Sequence, residues 1–148
     1  MPRKAMKILI INGPNMNMLG VREPDIYGKR TYTQLVETIC VYCEQRGVDC
    51  EFFQSNHEGA IIDAIQAAYG VYDGIVINPA AYTHTSIAIA DALRAVAIPT
   101  VEVHLSDVQA REEYRRTSYT AEACLAVIAG RGFDGYTDAV QFLIEKLQ

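Results

Sequence analysis

Lysine is scarce in this chain. Lys4, Lys7, Lys29 and Lys146 are the only ones, and none ends an apolar run, which argues against Schiff-base chemistry. No G-x-G-x-x-G follows the first apolar run, and there is no Walker P-loop and no G-x-S-x-G elbow, so nucleotide, flavin and serine-hydrolase readings lose ground. Positive charge is in short supply too. Thirteen Lys and Arg stand against eighteen Asp and Glu, a net charge of −5, and the basic residues are scattered apart from Arg115-Arg116. That balance argues against a nucleic-acid partner, although a mildly acidic protein can still hold an acid in a locally basic pocket. No apolar run approaches membrane-spanning length, so no membrane partner is expected. The basic start Met1-Pro2-Arg3-Lys4 precedes an apolar stretch too short for a signal peptide, and a cytoplasmic location is expected. Metal-ligand patterns are missing as well. Cys40 and Cys43 form a C-x-x-C inside a helical pattern, Cys50 and Cys124 supply no second pair, and the three histidines show no mutual ligand spacing. The cysteines read as reduced, partly buried thiols, and no metal is expected.

What is present is an ordinary globular composition. Half of the 148 residues are apolar and 21% are charged. The length suits one domain over 1–148, with 1–6 as a flexible N-terminal extension. Short β-branched runs alternate with helical patterns. Strands are expected at about 7–12, 48–53, 74–78, 99–104 and 124–129. Helices are expected at about 32–46, from a Thr31-x-x-Gln34 capping box to Gly47, and after a second box, Ser55-x-x-Glu58. Further helices are expected at 86–97 and 135–147, with a short one from Asp107 that carries Arg111 and Arg115 one turn apart. Alternating βα units imply an α/β fold: a flavodoxin-like, doubly wound, five-stranded parallel sheet of order 2-1-3-4-5.

Three of the predicted strands end in polar clusters: Asn12-Gly13-Pro14-Asn15, Asn78 through Ser86, and His104-Leu105-Ser106. Ligands of open α/β sheets sit outside the carboxyl ends of the strands, so these clusters are expected to share a pocket. Glu102 and His104 are two residues apart on one strand and face the same way. A carboxylate beside an imidazole orients it and favours its protonated form, as a general acid requires, though a structural Glu–His pair has the same spacing. His84, between Thr83 and Thr85, suits a hydroxylated ligand, or a helix cap. His57, at a helix start, reads as structural. The loop from Arg22 to Gly28 follows a strand that points at the pocket, and it reads as a lid or as a structural loop. A tyrosine base near pH 7 must lose its proton about 3 units below its usual value, a cost of ~4 kcal/mol. One guanidinium about 4 Å away at an effective dielectric near 20 supplies ~4 kcal/mol, so Arg22 or Arg115 suffices to tune Tyr27. Ser106 reads as a cap with Gln109, and the N–H groups of Leu105 and Ser106 suit a carboxylate. Arg111 and Arg115 share a helical face, which leaves one free to reach inward, against a default of two solvated arginines.

Together these segments resemble the type II 3-dehydroquinate dehydratases (type II dehydroquinases). The resemblance rests on Asn12 through Gly20, Arg22-Glu23-Pro24 through Gly28, Gln54 through Gly59, Asn78 through Ser86, Glu102 through Ser106 and Ala110 through Arg115, in order and covering nearly all of Lys7 to Leu147. It implies a hydro-lyase that converts 3-dehydroquinate reversibly to 3-dehydroshikimate through an enolate, without a cofactor, in the shikimate pathway that leads to aromatic amino acids. It makes Tyr27 the base at C2, with Arg22 lowering its pKa. Asn15 supports the enolate through a water, and His104, oriented by Glu102, protonates the departing C1 hydroxyl. Asn78, Ser106 and the Leu105 backbone would take the substrate carboxylate, and His84 and Arg115 the ring hydroxyls. Asp91 matches a residue that reaches a neighbouring subunit's site, which implies a homo-oligomer, the trimer-based dodecamer of the family. Asp107 and Gln109 stand where the family usually has Asn and His. Quinate breakdown by the same reaction is the alternative role. A non-catalytic module binding a small hydroxy acid, or a C-x-x-C redox or zinc protein, are the alternative classes.

Overall fold

The computed structural model describes residues 5–21, 29–108, 111–115 and 117–148. Five strands, β1 (Lys7–Asn12), β2 (Asp49–Gln54), β3 (Gly74–Asn78), β4 (Thr100–His104) and β5 (Ala126–Ala129), form one sheet of order β2-β1-β3-β4-β5. Every neighbouring pair is parallel. Among the described residues four α-helices cover it: α1 (Tyr32–Gln45), α2 (Glu58–Ala67), α3 (Ile87–Val96) and α4 (Asp134–Leu147). This is the doubly wound, flavodoxin-like α/β fold. Among the described residues no helix is long and apolar enough to cross a membrane.

Side-chain alternation divides the core in two. Ile8, Ile10, Val76, Val101 and Val103 face α1 and α4, where Leu35, Ile39, Tyr136, Val140 and Leu143 meet them. Leu9, Ile11, Ile75 and Ile77 face the other way, onto Ile61 and Ile65 of α2 and Ile89 and Leu93 of α3. Each helix presents its apolar residues at helical spacing, which is why the sequence pattern located them. The Thr31–Gln34 capping box at α1 is fully formed, and Ser86 caps α3 by accepting from Ile89 N at 3.0 Å.

Two expected features are absent. The Ser55–Glu58 box does not form. Ser55 Oγ accepts from His57 N at 3.0 Å, and α2 starts at Glu58 with His57 at its N-cap. The N-cap thus lies two residues beyond the expected Ser55, because the short i→i+2 turn competes with the cap and wins. No α-helix runs from Asp107 among the described residues of 107–115, which show 3-10 geometry at Val108 and at Glu113–Arg115. The segment has no apolar stripe to bury, so a helix gains nothing there.

The polar feature at the middle of the sheet is Tyr136, wholly buried on α4. Its hydroxyl donates to Asn12 Oδ1 at 2.6 Å and accepts from Asn78 Nδ2 at 2.9 Å. Burial pushes this phenol far above its ordinary range, which keeps the proton on the oxygen. Asn12 and Asn78 are register partners on β1 and β3, so one hydroxyl ties the helix to both strands at the switch point.

All four cysteines are free thiols. Burial raises Cys43 and Cys50, and burial together with the Glu102 charge pushes Cys124 up to about 12.

Two outcomes follow from this packing. Tyr136→Phe leaves the Asn12 oxygen and an Asn78 N–H without their partner in the core, and urea unfolding should show a loss of about 2 kcal/mol; unchanged stability would contradict the network. A thiol reagent at pH 8 should modify Cys43, Cys50 and Cys124 at less than about a tenth of the rate of free cysteine, because little thiolate exists. Fast modification of Cys43 together with Cys40 would restore the C-x-x-C redox reading.

Candidate active site

The cleft is built where β1, β3 and β4 end. Beyond Asn12 the chain turns across β3, and Gly13 N donates to Asn78 O at 2.8 Å. A Cβ on Gly13 would lie 2.4 Å from the Pro79 carbonyl oxygen, so only glycine allows the two loops to touch. Asn15 follows at φ +69°, a left-handed conformation that asparagine tolerates, and its N–H donates to Asn56 Oδ1 at 2.9 Å. On the β3 side Asn78 Oδ1 accepts from Ala80 N at 3.0 Å. That turn sets Ala80 at φ +54° and opens the 3-10 turn Ala80–His84.

The resulting cleft holds about 500 Å³ of empty space out to its mouth. Its walls include Asn15, Asn78, His84, His104, Leu105, Ser106, Arg111 and Arg115. The three polar clusters therefore do converge. Both arginines turn toward the cleft, with side chains only 13% and 19% exposed, against the solvated default. They share Glu112, with Nε–carboxylate distances of 3.8 Å for Arg111 and 3.0 Å for Arg115. The acidic chain thus has a locally basic wall that suits an anionic ligand.

The two histidines are held with different nitrogens free. His104 Nε2 lies 2.8 Å from Glu102 Oε2, with the carboxylate fully buried and the ring 5% exposed. With a carboxylate accepting at Nε2, Nδ1 is the nitrogen left for a ligand or a proton transfer. His84 Nδ1 lies 2.7 Å from the Thr117 carbonyl oxygen, which can only accept. Nε2 of His84 is therefore the nitrogen for a ligand, and it can accept from a hydroxyl. Asn78 is 3% exposed, and its amide is already committed to Tyr136 and to Met16 Sδ at 3.5 Å. The sulfur contact is weak, and the second Nδ2 hydrogen has more to gain from a carboxylate.

Three expected site residues stand apart. Arg22 and Tyr27 lie outside the described residues, as does Gln109, the proposed partner of Ser106. Asp91 is on α3, away from this cleft, with its side chain 68% exposed and 3.6 Å from Arg94. His57 does not line the cleft. The sequence pattern missed Ser118 and Thr120, whose hydroxyls both donate to Glu102. A carboxylate in the middle of an otherwise apolar strand signals that donors must exist, but nothing in the sequence says where. It also missed the polar role of Tyr136, for which the one hint was that a buried tyrosine needs a hydrogen-bond partner. Among the described residues no cluster of three His, Cys, Asp or Glu side chains could hold a metal ion.

Comparison with known proteins points one way. The profile of the family described as dehydroquinase class II matches residues 6–144. A 3-dehydroquinate dehydratase of Clostridium acetobutylicum is 56% identical over 142 residues, covering 96% of this chain and 99% of that protein. A catabolic 3-dehydroquinase of Verticillium alfalfae is 55% identical, covering 97% of this chain and 96% of that one. The crystal structure of a type II dehydroquinase from Butyrivibrio crossotus superposes with a TM-score of 0.93 at 54% identity, covering 95% of this chain and 98% of that one. A sheet order, a cleft and a sequence shared over almost the full length place this chain in the class II dehydroquinase family, as a hydro-lyase of the 3-dehydroquinate dehydratase type.

Proposed function

We propose that the cleft carries out the dehydration with Tyr27 as base and His104 as acid. The observation that carries this reading is the buried Glu102–His104 pair beneath a cleft lined by Asn78, Ser106 and Arg115. The substrate carboxylate sits on Asn78, Ser106 and the Leu105 backbone, near the two arginines. His84 Nε2 and Arg115 take the ring hydroxyls. Tyr27, with its pKa lowered by Arg22, removes a proton from C2, and the electron pair moves onto the C3 carbonyl oxygen. Asn15, through a bound water, supports that enolate. The enolate then collapses to form the C1–C2 double bond as His104 Nδ1 gives its proton to the C1 hydroxyl, which leaves as water. Glu102 stabilises the imidazolium before that step and keeps the ring aimed.

The oligomer belongs to the same reading. Asp91 is exposed on α3, where it is available to a neighbouring copy's cleft in a dodecamer built as a tetramer of trimers. The pathway is proposed as shikimate formation; the fungal relative's name attaches the same reaction to catabolism.

Three outcomes test this. His104→Ala and Tyr27→Phe should each lower kcat by about 10²–10⁴ while the fold survives by circular dichroism, the usual yield of one acid or base; wild-type turnover in either would contradict its role. Turnover read as enone absorbance should be the same with and without EDTA, and sodium borohydride with substrate should not inactivate. A reduced substrate adduct on a lysine would overturn the base mechanism. Asp91→Ala should lower kcat/KM in the assembled particle, and sedimentation should give twelve times the monomer mass; a fully active monomer would refute the shared site.

A further inference from the structure

Strand β4 has two unlike faces. Val101 and Val103 point into the apolar layer under α4, and Thr100, Glu102 and His104 point to the other side. All five are buried, so this second face is a buried polar column. It is covered by residues 117–123, which run from Thr117 into the 3-10 turn Thr120–Ala123. That stretch supplies the hydroxyl donors of Glu102, while Thr100 donates its own hydroxyl to the Ile98 carbonyl at 2.8 Å. Thr120, itself 0% exposed, donates its hydroxyl to Glu102 Oε1. Ser118 donates Oγ–H to Glu102 Oε2 at 3.2 Å and accepts from Ala121 N at 3.0 Å, which fixes its own position. Tyr119 N donates to the Thr83 carbonyl at 2.9 Å, and the Thr117 carbonyl holds His84 Nδ1 at 2.7 Å. One short loop therefore holds His84 directly and reaches His104 through Glu102.

We propose that Thr120 and Ser118 are positioning residues for the acid: their hydroxyls fix the Glu102 carboxylate, which in turn fixes the ring and tautomer of His104. This rests on the reading of His104 as the acid. A buried carboxylate with only one partner has freedom to rotate and a strong demand for more donors. Two hydroxyls on its two oxygens remove both. Oε1 is occupied by Thr120, so Oε2 is the oxygen presented to the imidazole, in one orientation. Neither hydroxyl lines the cleft, so neither touches the substrate, and substrate binding does not depend on them.

The test is steady-state kinetics with 3-dehydroquinate on Thr120→Val, Thr120→Ser and Ser118→Ala, each made also in a His104→Ala background. Thr120→Val keeps the volume and removes the donor. It should lower kcat about tenfold with KM within about twofold, the size expected for one hydrogen bond to a charged group. Thr120→Ser should restore kcat to within about twofold. Ser118→Ala should lower it about threefold. In the His104→Ala background the Thr120→Val loss should vanish, because there is no ring left to position. Wild-type kcat in Thr120→Val, or the same tenfold loss without His104, overturns the proposal; the second result means the hydroxyl only supports the fold. If Thr120→Val does not fold, the Ser118→Ala pair decides on the same criteria. Wild-type activity of His104→Ala itself would instead overturn the acid assignment, a distinct failure.

Discussion

The site depends on a single buried hydroxyl. Tyr136 on α4 bridges Asn12 and Asn78, register partners that end adjacent strands at the point where the winding of the sheet reverses. The reversal opens a gap between the loops that follow the two strands, and gaps of this kind are where α/β sheets bind ligands. The same strand ends also carry polar amides into the core, and each would cost about 1–3 kcal/mol if left alone. The tyrosine removes that cost and sets the depth of the cleft floor. Gly13 then lets the two loops meet, with the Pro79 carbonyl where any Cβ would be.

A second constraint operates one strand further along. β4 is buried on both faces, and one of those faces is polar. Parallel strands in such positions are ordinarily apolar throughout, so a glutamate there is a local conflict that the surroundings must resolve. Two hydroxyls and a histidine resolve it. The ring is thereby held with one nitrogen committed to the carboxylate and the other left toward the cleft. Fold and proposed chemistry meet in this arrangement: what satisfies Glu102 structurally also orients the His104 ring.

The fold was legible because its signals are local and periodic. Leu35, Ile39 and Cys43 on α1, and Ile89, Leu93 and Val96 on α3, mark helices by spacing alone. The continuous apolar runs of β1 and β3 mark buried parallel strands, and the alternation of elements fixes the winding. The site was legible in part. Asn78, His84, His104 and Ser106 were found because they follow strands, and strand ends converge. Ser118 and Thr120 were not, because a hydroxyl in an irregular stretch has no period and its partner is a distant strand. For the two arginines the spacing left one free to reach inward against a solvated default, because a local pattern carries no signal for which way a long polar side chain turns. Their inward turn is decided by the cleft and by Glu112, not by local propensity.

The division of labour between a tyrosine base and a histidine acid is most directly tested by following the C2 protons of 3-dehydroquinate by NMR in D2O with the His104→Ala variant. Enolate formation needs the base but not the acid. The account predicts that C2 exchanges deuterium while formation of 3-dehydroshikimate nearly stops. Loss of exchange in step with dehydration would show that His104 serves the first proton transfer, and would contradict the assignment of separate acid and base.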